Sequence, residues 1–411
     1  MTREIDMTRT AKQVILRAPT KYGFFGLNEL YSFFNKQLSF SFESKTDVDL
    51  VMDFSDVIYW DISALLWMVV ALHHFQKRSE TEKKNVQFMF RFPQPEREDI
   101  PFENMSGKDF GYFKGADYLR RWKFKDALKN LVDNPDDMVV DEQKGYILSD
   151  ARFYSPRMVS GLRNLEEQLL SQGLAEIRNL VELSQPPQYR KVTRERVDIC
   201  VDRFWERAFA TIITNQCDIE TDVGQMFISN LLYEALANAL QHPKANIGMF
   251  ALSRIGHNKL VLVVADNGES ICKTIYGHFR HEQVDVAKGL PLKYDRGHLD
   301  ASIRRDLVVH ATREGVSRKL IDADVDWEEP QVAKRHGIAT KIGQGLTNIL
   351  KTTVNDFHGN LIIATDGISV KFASTPEKGD ESNSFDDIDF AWPGNLIRIQ
   401  ITLKEKSPAS C

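Results

Sequence analysis

The stretch "YEALANALQH", residues 233–242, sets Glu234 four residues before Asn238 and eight before His242 inside an apolar helical run. Residues at i, i+4 and i+8 share one helix face. Burying a carboxylate without a partner is costly. The polar stripe therefore faces either solvent or a ligand. A hard cation such as Mg²⁺ takes oxygen ligands, one of which an asparagine can supply while phosphates supply others. A glutamate beside it can act as general base on water or a hydroxyl. Taken alone, a stripe turned to solvent is the simpler reading.

Two further motifs follow it. "VLVVADNGESI", 261–271, reads as a buried strand that ends in Asp266-Asn267-Gly268. A carboxylate there can accept a hydrogen bond from an exocyclic amine, and Gly268 lets backbone approach a planar ring. By itself this is an ordinary D-N-G turn. "KIGQGLTNIL", 341–350, sets Gly343 and Gly345 before a helix that begins near Leu346. Such a start exposes backbone N–H groups to an anion. By itself it is a glycine-containing loop leading into a helix.

In this order and spacing, the three motifs resemble the N, G1 and G2 boxes of the GHKL superfamily. That is the ATP-binding domain shared by gyrase B, the 90-kilodalton heat-shock chaperones, histidine kinases and MutL. The resemblance spans about 193–405 and includes "PGNLIRIQITL", with Asn395 in the family's threonine position. It implies a Bergerat-type α/β sandwich, a mixed sheet packed on helices, with ATP and Mg²⁺ as cofactors. Asn238 would then ligate the metal and Glu234 would be the general base. Asp266 would bond the adenine amino group, Gly268 would lie against the base, and Ile271 would belong to the binding set. Gly343, Gln344, Gly345 and Leu346 would close over the phosphates, with His242 as a phosphate neighbour.

The chain departs from the family pattern in two places. Ser270 replaces the second glycine of G1, which is expected to restrict the lid or alter phosphate contact. The segment between G1 and G2 is long and contains the helix-like "DLVVHATREGVSRK", so 272–342 is expected to be a structured lid. Lys334, Arg335, His336 and Lys341 lie beside G2, as phosphate contacts or as a solvated basic face.

The N-terminal part reads differently. "LVMDFSDVIYWD", 50–61, is a buried strand running into a turn; a helix follows at 62–79, and "NVQFMFRF", 85–92, is a strand. A loop near 93–115 interrupts the pattern before helical periodicity returns at 116–132. This is an α/β signature with some parallel pairing. The segment resembles a STAS domain, the fold of anti-sigma-factor antagonists, over 1–132. Ser63 occupies the position of that family's phosphorylated serine, although Ile62 and Ala64 depart from its motif. Asp61 or Ser63 would equally serve as a helix N-cap. Residues 133–192, acidic and turn-rich and then strongly helical, read as a connector.

Composition narrows the classes. The 411 residues carry a net charge of −5, so nucleic acid is not indicated as a partner. Cys200, Cys217, Cys272 and Cys411 form no C-x-x-C pair and suggest reduced thiols. The first twenty residues lack an apolar signal-peptide core. The most apolar run, "ISALLWMVVALHHF", has 14 residues, short of the ~18–20 that span a bilayer. A cytoplasmic protein with no membrane contact is expected. Residues 150–220 contain no histidine, which excludes the phosphoacceptor helix of an ordinary two-component kinase. Three functions stay open: an ATP-hydrolysing conformational switch acting on a protein partner, an anti-sigma-type protein serine kinase, and a non-catalytic nucleotide-binding or interaction module. A homodimer is an open alternative for the partner.

Overall fold

The computed structural model of the chain describes residues 12–19, 24–34, 48–81, 86–91, 119, 138–140, 158–159, 227–235, 238, 248–255, 259–314, 316, 345–373 and 394–402. The chain divides into two compact units, Met1–Met158 with Ile388–Phe390, and Val159–Asp387 with Ala391–Cys411.

The first unit contains β1 (Lys12–Arg17), β2 (Phe24–Phe25), α1 (Leu27–Phe33), β3 (Val48–Asp53), β4 (Tyr59–Trp60), α2 (Ile62–Thr81), β5 (Val86–Arg91) and β6 (Met138–Val140). Its main sheet runs β1-β3-β5-β6 with every pair parallel. Leu50, Val51 and Met52 are all buried, as befits a parallel strand covered on both faces. The first half of α2, Ile62 to Leu72, is buried on every side. A helix apolar all round belongs in a core. Asp61 starts it, its Oδ1 accepting from the backbone N–H of Ser63 (2.8 Å) and of Ala64 (3.4 Å). The rings of Phe33, Phe54 and Trp60 pack in series at 5.4 and 5.3 Å beside it.

The second unit contains a π-helix (Phe227–Tyr233) that runs on through Glu234 and Ala235, and then β8 (Gly248–Ile255) and β9 (Lys259–Asp266). After these come α3 (Ile271–Glu282), a 3₁₀ turn (Arg296–His298), α4 (Ala301–Ala311) and α5 (Gly345–Leu350), which continues as a π-helix over Lys351–Asp356. β10 (Asn360–Thr365), β11 (Ile368–Ala373) and β12 (Asn395–Thr402) complete it. With β7 (Met158–Val159), the six-stranded sheet runs β11-β10-β12-β9-β8-β7. The pairings β8–β9, β9–β12, β12–β10 and β10–β11 are all antiparallel, so the sheet expected to be mixed is antiparallel across these five strands. Asp366 and Gly367, both at positive φ, form the two-residue turn between β10 and β11. Alternate residues Leu260, Leu262 and Val264 join Ile363, Ile397 and Ile399 in a core completed by the helices.

Several expectations need correction. The connector over 133–192 is crossed by structure. β6 extends the parallel sheet, and β7, inside a segment read as helical, joins the antiparallel one. These strands are three and two residues long, too short to display a period. Another concerns the lid. Within 272–342, the described residues 272–314 and 316 include α3 and α4, whose Cys272, Ile275, Tyr276, Phe279, Leu307 and Val308 are buried in the sheet's own core. Exposing six such side chains at ~1.5–3 kcal/mol each would cost on the order of 10 kcal/mol, as much as a whole domain's stability. The described part of 272–342 is built as a layer of the core. The helix expected over 306–319 also lies earlier, at Ala301–Ala311, capped by Asp300 Oδ1 accepting from Ile303 N–H at 2.8 Å. Among the described residues no helix is long and apolar enough to cross a membrane.

Candidate functional site

The structure brings the sequence-singled residues together in two sets. The first joins the opening motif to the start of α5. Glu234 and Asn238 are half-buried on the same helical stretch. A Cβ added to Gly345 would lie 2.9 Å from Glu234 Oε2, 3.4 Å from Asn238 Oδ1 and 3.5 Å from Asn238 Nδ2. A side chain at 345 would press on the Glu234 carboxylate and displace it from this position. Asn348, one turn into α5, donates its Nδ2 to Glu234 Oε1 at 3.4 Å. A second bond between the same helical segments runs from Asn230 Nδ2 to Thr352 Oγ1 at 3.3 Å. Asn238 Nδ2 is buried and makes no hydrogen bond among the described residues. A buried orphan amide is rare enough to need a partner that the described residues do not supply.

The second set gathers where three strands end in register, Thr365 of β10 opposite Asn395 of β12 and Asn395 opposite Asp266 of β9. The Asn395 amide is fully used. Its Nδ2 donates to Asp266 Oδ1 (3.2 Å), to Asp266 Oδ2 (3.4 Å) and to the Glu269 carbonyl (3.0 Å). Its Oδ1 accepts from Ile271 N–H (2.8 Å) and Thr365 Oγ1 (2.7 Å). Gly268 N–H donates to Asp266 Oδ1 at 2.8 Å. Among the described residues Oδ2 has only the long contact with Asn395, which leaves it acceptor capacity. Burial pushes the Asp266 carboxyl up to about 7, against the lowering effect of the Gly268 N–H and the Asn395 amide. Gly394 closes the network at φ +71, where a Cβ would overlap the Asp266 carbonyl.

Other expected residues fall elsewhere. Ile271 is buried in the core and its N–H is taken by Asn395 and Thr365, so it presents neither backbone nor side chain to a ligand. The half-buried Leu346 packs against the core. Ser270 has a local task that explains its presence. It is the N-cap of α3, accepting from Lys273 N–H at 3.2 Å. His242, Gly343 and Gln344 lie outside the described residues, as do Lys334, Arg335, His336 and Lys341. In the first unit Ser63 is completely buried, and its Oγ has no partner among the described residues. A phosphate could reach that hydroxyl only if the first turn of α2 opened.

Sequence reasoning missed Asn348, Thr365 and Gly394. Asn348 lies within "GQGLTNIL", three residues past Gly345, where one helical turn returns it to the same face. Thr365 ends a strand beside an Asp-Gly turn, and its cross-strand partner appears only once register is known.

The residues fit a divalent ion and an anionic ligand in donor type. An amide oxygen and a carboxylate converge on a glycine, and a buried amide nitrogen has no partner among the described residues. Comparison with known proteins finds no match, with no family model, curated protein or solved structure similar to the chain.

Proposed function

We propose that the second unit is a Bergerat-type domain that binds Mg-ATP, and that the protein is an ATP-hydrolysing conformational switch acting on a protein partner through a STAS-like first unit. One observation carries this reading: the meeting of Glu234 and Asn238 with Gly345, which lies more than a hundred residues away in the chain.

In this reading Asn238 offers Oδ1 as a metal ligand. Bound Mg²⁺ would supply charge neutralisation at the phosphates. Glu234 takes a proton from the attacking water, and Asn348 orients it by holding Oε1. Asp266, fixed by Gly268 and Asn395, accepts from the exocyclic amine of the base through Oδ2. Nucleotide shifts the protein between states only by its difference in affinity for them.

Serine phosphotransfer would use the same Glu234, with a hydroxyl in place of water. Burial of Ser63 makes that residue a poor acceptor in such a reaction. The test is incubation with γ-labelled ATP. Free phosphate that disappears in Glu234→Ala, with no label on protein, supports the switch. Label on protein would replace the switch with a kinase, and phosphate release unchanged in Glu234→Ala would remove the proposed base.

A further inference from the structure

A separate cluster lies on the helices between the aspartate and glycine motifs. His278 and Glu282 stand four residues apart on α3 and share one face. α4 packs beside it and contributes His310. His278 Nδ1 lies 3.1 Å from His310 Nε2. Glu282 Oε1 lies 3.3 Å from His278 Nε2, and Glu282 Oε2 lies 3.5 Å from His310 Nε2. One donor atom from each residue falls within 4.8 Å of the other two. Donor atoms on a tetrahedral ion, with bonds of ~2.0–2.2 Å, stand roughly 3.3–3.6 Å apart. Two of the three pairs come close to that spacing, His278 Nδ1 to His310 Nε2 at 3.1 Å and Glu282 Oε2 to His310 Nε2 at 3.5 Å.

We propose that His278, Glu282 and His310 form a site for a divalent first-row transition cation of the Zn²⁺ type, with a fourth position left to solvent. Two imidazoles and one carboxylate suit Zn²⁺ rather than Mg²⁺ or Ca²⁺, which prefer oxygen. A proton on His278 Nε2 would be shared with Glu282 Oε1 and would leave the Nδ1 lone pair facing His310. A metal ligand must also be an uncharged imidazole. His310 is 1% exposed and its Nδ1 has no hydrogen bond among the described residues. With Nε2 given to the cation, Nδ1 carries the ring's one proton. Glu282 is 45% exposed, which gives a cation a route in. The bound ion would join α3 to α4 across the layer that covers the sheet. A hydrogen-bonded staple between the two helices is the competing reading.

The test uses the full-length chain, stripped with chelator, dialysed and free of nucleotide. It is titrated with ZnCl₂ by calorimetry and by thermal shift, as wild type, Glu282→Gln and His278→Gln. The expected result is one Zn²⁺ per chain at this site and a raised Tm for wild type, because the ion binds the folded state. Each variant should lose at least about tenfold in affinity, and with it most of the Tm shift. Glu282→Gln keeps shape and exposure, so folding does not confound the comparison. No Zn²⁺ uptake by wild type, or undiminished affinity in both variants, would overturn the site and leave the staple. Mg-ATP takes no part, so the nucleotide reading stands or falls separately.

Discussion

Substituting Gly345→Ala probes the contact on which the nucleotide site depends. The new Cβ would sit 2.9 Å from Glu234 Oε2, closer than carbon and oxygen tolerate, and 3.4 Å from Asn238 Oδ1. Glu234 cannot swing away without loss, since its Oε1 accepts from Asn348. Crowding of this kind costs ~1–3 kcal/mol. Exchanging glycine for alanine in a helix returns up to ~1 kcal/mol in propensity. The single variant should therefore lose about 0–2 kcal/mol, too wide a range to decide anything. The double-mutant cycle with Glu234→Ala removes the propensity contribution, which is common to both backgrounds. Without the carboxylate the methyl group is tolerated, so the two changes should couple by the crowding cost, ~1–3 kcal/mol. Urea unfolding of the four proteins, compared at unchanged slope, measures that coupling. A coupling below ~0.5 kcal/mol, the additivity expected of distant sites, would refute the contact between Glu234 and the start of α5.

Other consequences concern the aspartate network and the first unit. Asp266 rises from an ordinary 3.8 to about 7 on folding, so between those values the folded chain holds a proton that the unfolded chain has released. Stability should fall as pH rises from about 4 to about 7 and level off above, with a slope approaching ~1.4 kcal/mol per pH unit for each such group. Asp366, also pushed up to about 7 by burial, contributes in the same direction. Asp266→Asn should therefore reduce the slope without abolishing it; a wild-type slope measured by denaturation at several pH values would contradict the assignment. Gly394→Ala forces a side chain into the left-handed region and onto the Asp266 carbonyl, and should cost more than ~3 kcal/mol or abolish soluble expression. Ser63→Ala removes a buried hydroxyl without a partner among the described residues and should stay within about 1 kcal/mol of wild type, on the stabilising side. A clear loss of thermal stability would show that Ser63 has a partner.

The long strands were legible in the sequence because their apolar runs were bounded by turn signals. "KLVLVVAD" and "NLIRIQIT" fall close to where they were expected. α2 was legible because eleven consecutive buried positions leave no room for a solvent face. β6 and β7 were not, since "MVV" and "MV" become strands only by pairing with distant partners. The misreading of α3 is more instructive. Ile271, Cys272, Ile275, Tyr276 and Phe279 carry a helical period in plain view. That apolar period marks a core helix. In the site, the spacing of Glu234 and Asn238 could be read directly, whereas their meeting with Gly345 depends on tertiary packing. Ser270 looked like a damaged glycine motif and is a helix cap.

The most direct measurement is calorimetric titration of the full-length protein with Mg-ATP, comparing wild type with Asn238→Ala and Glu234→Ala. Saturable binding to wild type is expected, weakened about 10–100-fold in Asn238→Ala and largely retained in Glu234→Ala, with phosphate release lost in the latter. Negligible heat for all three proteins, or equal affinity in wild type and Asn238→Ala, would contradict the nucleotide site.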